Sequence, residues 1–259
     1  MEKKNNFEIM IIMFLLLFSF IMYGLYLVIE KYYEKYTYTL ILDPLTILEC
    51  KKWKCIDKTS NINEYNNKEY NVSADGKDIG KYTLYYDNNL SKFYIFDNNN
   101  NSIKYEDSLY GYNGSNIKSY MVNSTDIGQD EMYDILGKNK LSVNINDISY
   151  SKKVIDDFDN DGKYEEIYTI MSSIESSNYF NYLIYNDEGK YSIIFKQENT
   201  DSLKVGSGII SNVMDIFNDG KKEFVYRLIY YDKLGECNIV YRLKGNKFVS
   251  VNECNLKNN

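Results

Sequence analysis

Asp157-Phe-Asp-Asn-Asp-Gly-Lys-Tyr-Glu165 and, 58 residues later, Asp215-Ile-Phe-Asn-Asp-Gly-Lys-Lys-Glu223 align without a gap. In the first segment Asp157, Asp159, Asp161 and Glu165 are residues one, three, five and nine, and Gly162 stands where the chain must turn sharply to bring them together. Alternating carboxylates around such a turn are the oxygen-rich donor set that a hard cation such as Ca2+ takes. A tight turn alone would explain Asn160-Asp161-Gly162, because Asn and Gly tolerate positive φ and Asp caps its own backbone. It would not explain Asp157 and Asp159, and four carboxylates within nine residues repel one another unless a cation neutralises them. The second segment keeps Asp215, Asp219 and Glu223 but has Phe217 at the third position, so fewer anionic ligands predict a weaker site there. A third, decayed copy is suggested by Asp97, Asn99 and Asn101 at the same spacing, without the Gly.

The flanking residues give these loops a β context. Apolar runs precede them (153–158 and 209–217) and β-branched or aromatic runs follow (166–171 and 224–231). Hairpins come next, 182–185 with 191–195 and 238–243 with 248–251. Each unit therefore supplies about four strands, the content of one propeller blade. The loop is not an EF-hand, which needs a bidentate Glu at position twelve and helices on both sides; here the twelfth residue is Tyr168.

Strand, Asp-x-Asp-x-Asp-Gly-x-x-acidic loop, strand, at a period near 60, resembles the FG-GAP/VCBS repeats of integrin α-chain propellers and bacterial surface proteins. The resemblance covers residues 150–254. It implies calcium held between two blade strands, with Asp157, Asp159, Asp161 and Glu165 as side-chain ligands and Lys163 as a backbone ligand. Two departures stand out: the ninth residue is Glu where the family usually has Asp, and two clear repeats do not close a ring. The expected fold is mainly β, built of antiparallel four-stranded units as a partial propeller-like stack or a sandwich, behind one N-terminal transmembrane helix.

That helix is read from residues 9–29, 21 uncharged residues dominated by Ile, Leu, Phe and Met. As a helix they span about 31 Å, enough to cross a bilayer. The apolar core runs into charged residues instead of a small-residue cleavage site, which points to an uncleaved signal anchor. Lys3 and Lys4 on one side are matched by Lys31 and Lys35 on the other, so charge does not set the orientation. The short tail, residues 1–8, and the position of all four Cys beyond the helix place the N-terminus in the cytoplasm and the rest outside. The expected division is a tail (1–8), an anchor (9–29), an N-terminal β-rich region (36–149) and the repeats (150–259).

The first 35 residues carry four Lys and four Glu, so the formal charge of −7 belongs to the outer part. With no basic patch in the sequence to displace counterions, nucleic acid is disfavoured as a partner. The chain has no His, which removes the usual proton shuttle and zinc ligand. Asp156, Glu165, Glu166 and Glu175 could be proposed as a glycosidase pair, but they lie in or near the metal loop and are better explained by it. The expected activity is non-enzymatic, a calcium-stiffened surface module binding a protein or glycan, with an extracytoplasmic sensor or assembly factor as the alternative. Aromatic faces could stack on sugar rings, although aromatics favour strands anyway and Trp53 is the sole Trp.

Four Cys in an outside domain predict two disulfides. If Gly245-Asn246 is the turn of the last hairpin, Cys237 and Cys254 are each eight residues from it and face each other on a non-hydrogen-bonded rung, where Cα atoms approach to about 4.5 Å. Cys50 with Cys55 follows by elimination. Residues 50–81 are polar and poorly periodic and read as loops, whereas 82–86 and 92–96 read as a hairpin. One short helix is expected, capped by Asp126 with Gln129 at its first turn and closed by Gly137.

Overall fold

The computed structural model describes residues 13–28, 38–43, 46–51, 53–74, 76–87, 92–96, 102–103, 110–113, 117–173, 175–230 and 235–254. The chain forms two compact units, residues 1–37 and 38–259. In the first, the described residues 13–28 form helix α1, every side chain of which is exposed. Among the described residues no helix is long and apolar enough to cross a membrane. Residues 9–12 and 29, and the decayed repeat at 97–101, lie outside the described residues.

The second unit is a stack of antiparallel sheets. The first repeat runs β11 (Ile148–Asp156), β12 (Glu165–Ser172), β13 (Tyr179–Asp187) and β14 (Lys190–Asn199). The second runs β15 (Ser207–Asp215), β16 (Glu223–Tyr230), β17 (Gly235–Lys244) and β18 (Lys247–Ser250). Each is a meander whose neighbours in sequence are neighbours in space, and each gains a fifth strand on its first edge. β9 (Lys118–Tyr120) pairs with β15, and β10 (Ser124–Asp126) pairs with β11. The short stretch 118–126 thus laces the two sheets together across the division expected at residue 149.

Alternation explains why these sheets stack. In β16, Phe224, Tyr226 and Leu228 face the first-repeat sheet, where Val154, Ile167, Leu183 and Tyr185 meet them. The intervening Val225, with Met214, Ile216 and Val240, faces the other way. A strand buried on both faces reads as a near-continuous apolar run, and Phe-Val-Tyr-Arg-Leu-Ile-Tyr is one, broken only by Arg227, which pairs with Glu236 at 2.7 Å. Fully burying one such side chain contributes about 1.5–3 kcal/mol.

The far face of the second-repeat sheet is covered by an eight-stranded sheet from the N-terminal region. Its members are β1 (Tyr38–Leu42), β2 (Thr46–Lys51), β3 (Lys54–Asp57), β4 (Lys68–Ala74), β5 (Lys77–Asp87), β6 (Lys92–Phe96), β7 (Ser102–Ile103) and β8 (Tyr110–Asn113), in the order β3-β2-β1-β8-β4-β5-β6-β7. Tyr38, Leu40, Leu42 and Leu48 pack on Met214 and Val240. The hairpin expected over 82–96 is β5 with β6. The loops expected over 50–81 are instead largely strands β3, β4 and β5. Their outward Lys, Glu and Asp residues leave one face solvated, so the apolar alternation that marks a strand is diluted.

Helix α2 (Gln129–Lys138) covers the outer face of the first-repeat sheet, burying Met132, Ile135 and Leu136 against Tyr168, Ile170 and Tyr182. Its ends differ from expectation. Asp126 belongs to β10, the N-cap is Gly128, and Gly137 lies inside the helix, which ends at Asn139. Asp126 forms an ion pair with Lys152 of the adjacent strand, so strand pairing claims it before the helix can.

Both cysteine pairs are bonded. Cys50 and Cys55 face each other across β2 and β3 with Cα atoms 4.0 Å apart. The last hairpin turns at Gly245-Asn246 with Lys244 opposite Lys247, and Cys237 bonds Cys254 with Cα atoms 5.8 Å apart. The separation exceeds that of a regular rung because the ladder gives way beyond Ser250. There the Asn252 side chain takes its place, accepting from the Val240 N–H (2.8 Å) and donating to the Asn238 carbonyl (2.9 Å).

Candidate metal centre

The two acidic loops connect the first and second strands of each repeat and share one backbone design. In the first, the Asp161 N–H donates to Oδ1 of Asp157 and to Oδ1 of Asp159, each at 3.1 Å. The Gly162 N–H reaches Oδ2 of Asp157 at 3.1 Å, and the Lys163 N–H reaches Oδ1 of Asp161 at 2.8 Å. In the second, the Asp219 and Gly220 N–H groups donate to the two oxygens of Asp215 at 3.1 and 3.0 Å, and the Lys221 N–H donates to Oδ1 of Asp219 at 3.2 Å. The turns need positive φ at Asn160 (63°) and Gly162 (89°), matched by Asn218 (50°) and Gly220 (84°). Asn and Gly are the residues that adopt it at least cost.

The closing glutamates do the same job in both. Oε2 of Glu165 accepts from the Phe158 N–H at 2.7 Å, and Oε2 of Glu223 from the Ile216 N–H at 2.8 Å. That bond orients the second loop residue inward. Phe158 enters the core between the two repeat sheets, edge-on to Phe248 and Phe224, and Ile216 enters the core between the second repeat and the N-terminal sheet. Each loop therefore plugs the gap to the next sheet in the stack. The loops also touch, the Lys222 N–H donating to the Phe158 carbonyl at 2.8 Å.

The cation side differs. Asp157, Asp159, Asp161 and Glu165 bring one oxygen each within 4.8 Å of the others, and among the described residues this is the cluster of acidic, His or Cys groups that could hold a metal ion. Two carboxylates at that distance repel by about 3 kcal/mol at an effective dielectric near 20. Glu165 is 3 % exposed, and burial, reinforced by Asp159, Asp157 and Asp161, pushes its carboxyl up to about 7 against the pull of the Phe158 N–H. Lys163 offers no relief, since its ammonium turns away to Glu188 at 2.6 Å.

In the second loop a guanidinium stands where the first loop's carboxylates leave room for an ion. Arg242 of β17 pairs with Asp219 and lies 3.8 Å from Oε1 of Glu223. It also lies over the ring of Phe217, 4.6 Å from the centroid. Phe217 replaces Asp159, so a lost ligand has become a cation–π partner. Strand register shows a second exchange: Tyr241 lies opposite Phe224 as Asn186 lies opposite Glu166, so the place of Arg242 is taken in the first repeat by Asp187. Glu223 is fully buried, and burial pushes it up to about 8 against the Ile216 N–H and Arg242. The weaker metal site expected at Asp215, Asp219 and Glu223 thus contains the protein's own cation. Sequence reading missed Arg242, though it is one of only two Arg in a chain rich in Lys.

The other carboxylates considered for catalysis are engaged in the scaffold. Asp156 pairs with Lys222, whose ammonium also lies 4.5 Å from the ring centroid of Tyr120. Glu166 accepts from Lys153 (3.1 Å), Asn186 (2.8 Å) and the Tyr168 hydroxyl, and Lys153 reaches on to Glu131 of α2. Glu175 lies in a turn, exposed. No known protein family, curated protein or solved structure matches the chain.

Proposed function

We propose that this protein is a membrane-anchored, extracytoplasmic β-module that is not an enzyme, and that its first acidic loop holds one Ca2+ to stiffen a stack of sheets presenting a binding surface to a surface protein or glycan. The observation that carries the reading is the convergence of Asp157, Asp159, Asp161 and Glu165 at the edge of the sheet-to-sheet core. The donors are all oxygens, which disfavours zinc and copper. A flexible loop of carboxylates that can be joined by the Lys163 carbonyl suits the variable coordination of calcium better than the strict octahedron of magnesium. The pairing of Asp156 with Lys222 and of Glu166 with Lys153 supports a scaffold role for the neighbouring acids over a glycosidase pair. The apolar segment 9–29 and the two disulfides support an anchored domain outside the cytoplasmic membrane. A sensor or assembly factor is the alternative, separated from an adhesive module by the partner recovered on crosslinking intact cells.

The test has two arms. Protease added to wall-stripped cells is expected to degrade residues beyond 36, and a fragment protected in the cytosol would refute the topology. Calcium added to the full chain in detergent is expected to raise its melting temperature slightly, a gain that Asp159→Ala abolishes while the Asp161 N–H keeps its bond to Asp157.

A further inference from the structure

A groove away from the metal loop lies between the β2–β3 hairpin and the end of the β17–β18 hairpin, with a volume of about 870 Å3. That is within the range of small-ligand and oligosaccharide-sized sites and far beyond what a single ion needs. Trp53, Ile56 and Val249 offer its apolar surface, and Lys54, Lys221, Lys244 and Arg242 outnumber the two lining carboxylates, Asp57 and Glu253. In a chain of net charge −7 this is a local reversal of sign. None of the three lysines is paired with a carboxylate among the described residues.

Trp53 is the observation that separates this groove from an accidental one. It is the sole Trp of the chain, it is 55 % exposed, and it sits at φ 65° in the turn between Lys51 and Lys54. A two-residue hairpin turn favours Asn or Gly at positive φ. A bulky residue there is strained, and strain of this kind persists where the surroundings over-determine it, at binding and catalytic sites above all. Burial does not repay it here. The indole is instead held by the guanidinium of Arg242, 5.1 Å from its ring.

Both disulfides brace this one place. Cys50–Cys55 closes the hairpin that carries Trp53, and Cys237–Cys254 fixes the opposite wall through Asn252 and Glu253. A site rigid before its ligand arrives loses less entropy on binding. The two walls are joined where the Cys55 N–H donates to the Val251 carbonyl at 2.9 Å. That bond occupies the outward donor of β3, so an added peptide strand would find this edge already engaged.

We infer that the Trp53 groove binds an anionic glycan, the indole face stacking on a sugar ring while Lys54, Lys221 and Lys244 neutralise its carboxylates or phosphates. It deepens the surface-binding reading by naming the ligand class, and it shares no residue with the first acidic loop, so calcium is not required.

The sole Trp makes its own reporter. The full chain in detergent, with EDTA present, is titrated with an oligogalacturonate and separately with a polyol-phosphate polymer, following indole fluorescence. At least one is expected to bind, more weakly as salt rises, and the one that does identifies the anion as carboxylate or phosphate. Methyl-esterified oligogalacturonate is expected not to bind. Trp53→Ala, read by calorimetry, and the triple variant Lys54→Ala/Lys221→Ala/Lys244→Ala are each expected to weaken binding at least about tenfold. Trp53, Lys54 and Lys244 are exposed and Lys221 is half-buried, none of them a core residue, so the variants keep the fold. Binding of neither anionic glycan, equal binding of poly-Glu, or unchanged affinity in Trp53→Ala would overturn the inference. A missing calcium response leaves it standing, and that separates its failure from failure of the metal reading.

Discussion

The two acidic loops share a backbone, a pair of positive-φ residues, a closing Glu and an apolar plug, yet one gathers four carboxylates and the other three carboxylates around an arginine. The comparison separates what the loop does for the fold from what it does for an ion. The shared parts pin one sheet to the next, so both copies keep them. The cation is a requirement of charge alone, and the second repeat meets it with a guanidinium from its own third strand. The paired exchange of Asp159 for Phe217 and of Asp187 for Arg242 removes a ligand and supplies the replacement charge together.

The largest effect should come from what the loops share. Phe158→Ala is expected to cost about 3–5 kcal/mol and Ile216→Ala about 2–5 kcal/mol in urea unfolding, because each empties a fully buried site. If either were silent, that loop would not be a plug. Arg242→Ala strikes the second loop and also frees the Trp53 indole, and should cost about 2–3 kcal/mol. That is below the 3–5 kcal/mol of a fully buried pair, because Asp219 stays part-exposed. Adding Phe217→Asp to that variant restores a four-carboxylate set and should create a second calcium site, seen as a second equivalent in equilibrium dialysis. Failure to gain it would mean that the two loops differ in more than their charges.

Calcium itself should act weakly and only through the first loop. Extracellular modules bind it at about 10⁻⁴ to 10⁻³ M, so at roughly millimolar calcium the gain is about 0.4–1.4 kcal/mol, a small rise in melting temperature. The smallest effect belongs to Lys163→Ala, which removes an exposed ion pair with Glu188. It should shift stability by less than about 0.5 kcal/mol and leave calcium affinity unchanged, since the ligand proposed at Lys163 is its backbone carbonyl and not its side chain.

The sequence was most legible where one physical rule acted alone. The four strands of each repeat, the Asp157 to Glu165 cluster and the register that joins Cys237 to Cys254 follow from alternation, spacing and hairpin symmetry. It was least legible where a residue's role depends on a distant partner. Arg242 looks like a solvent-facing strand residue until β17 folds beside the second loop, and Asp126 looks like a helix cap until Lys152 recruits it to a strand. Residues 50–81 hide their strands because half of each strand faces water. Trp53 stands out in the sequence as the only Trp, but its strained, exposed setting exists only once the hairpin and the disulfides are formed.

The central claim is that one loop takes a metal ion and the other supplies its own cation, and calorimetric titration of the full chain with calcium tests it most directly. The account predicts one calcium per chain, lost in Asp159→Ala and retained in Asp219→Ala. Two equivalents in the wild type, or one that survives Asp159→Ala and disappears in Asp219→Ala, would contradict it.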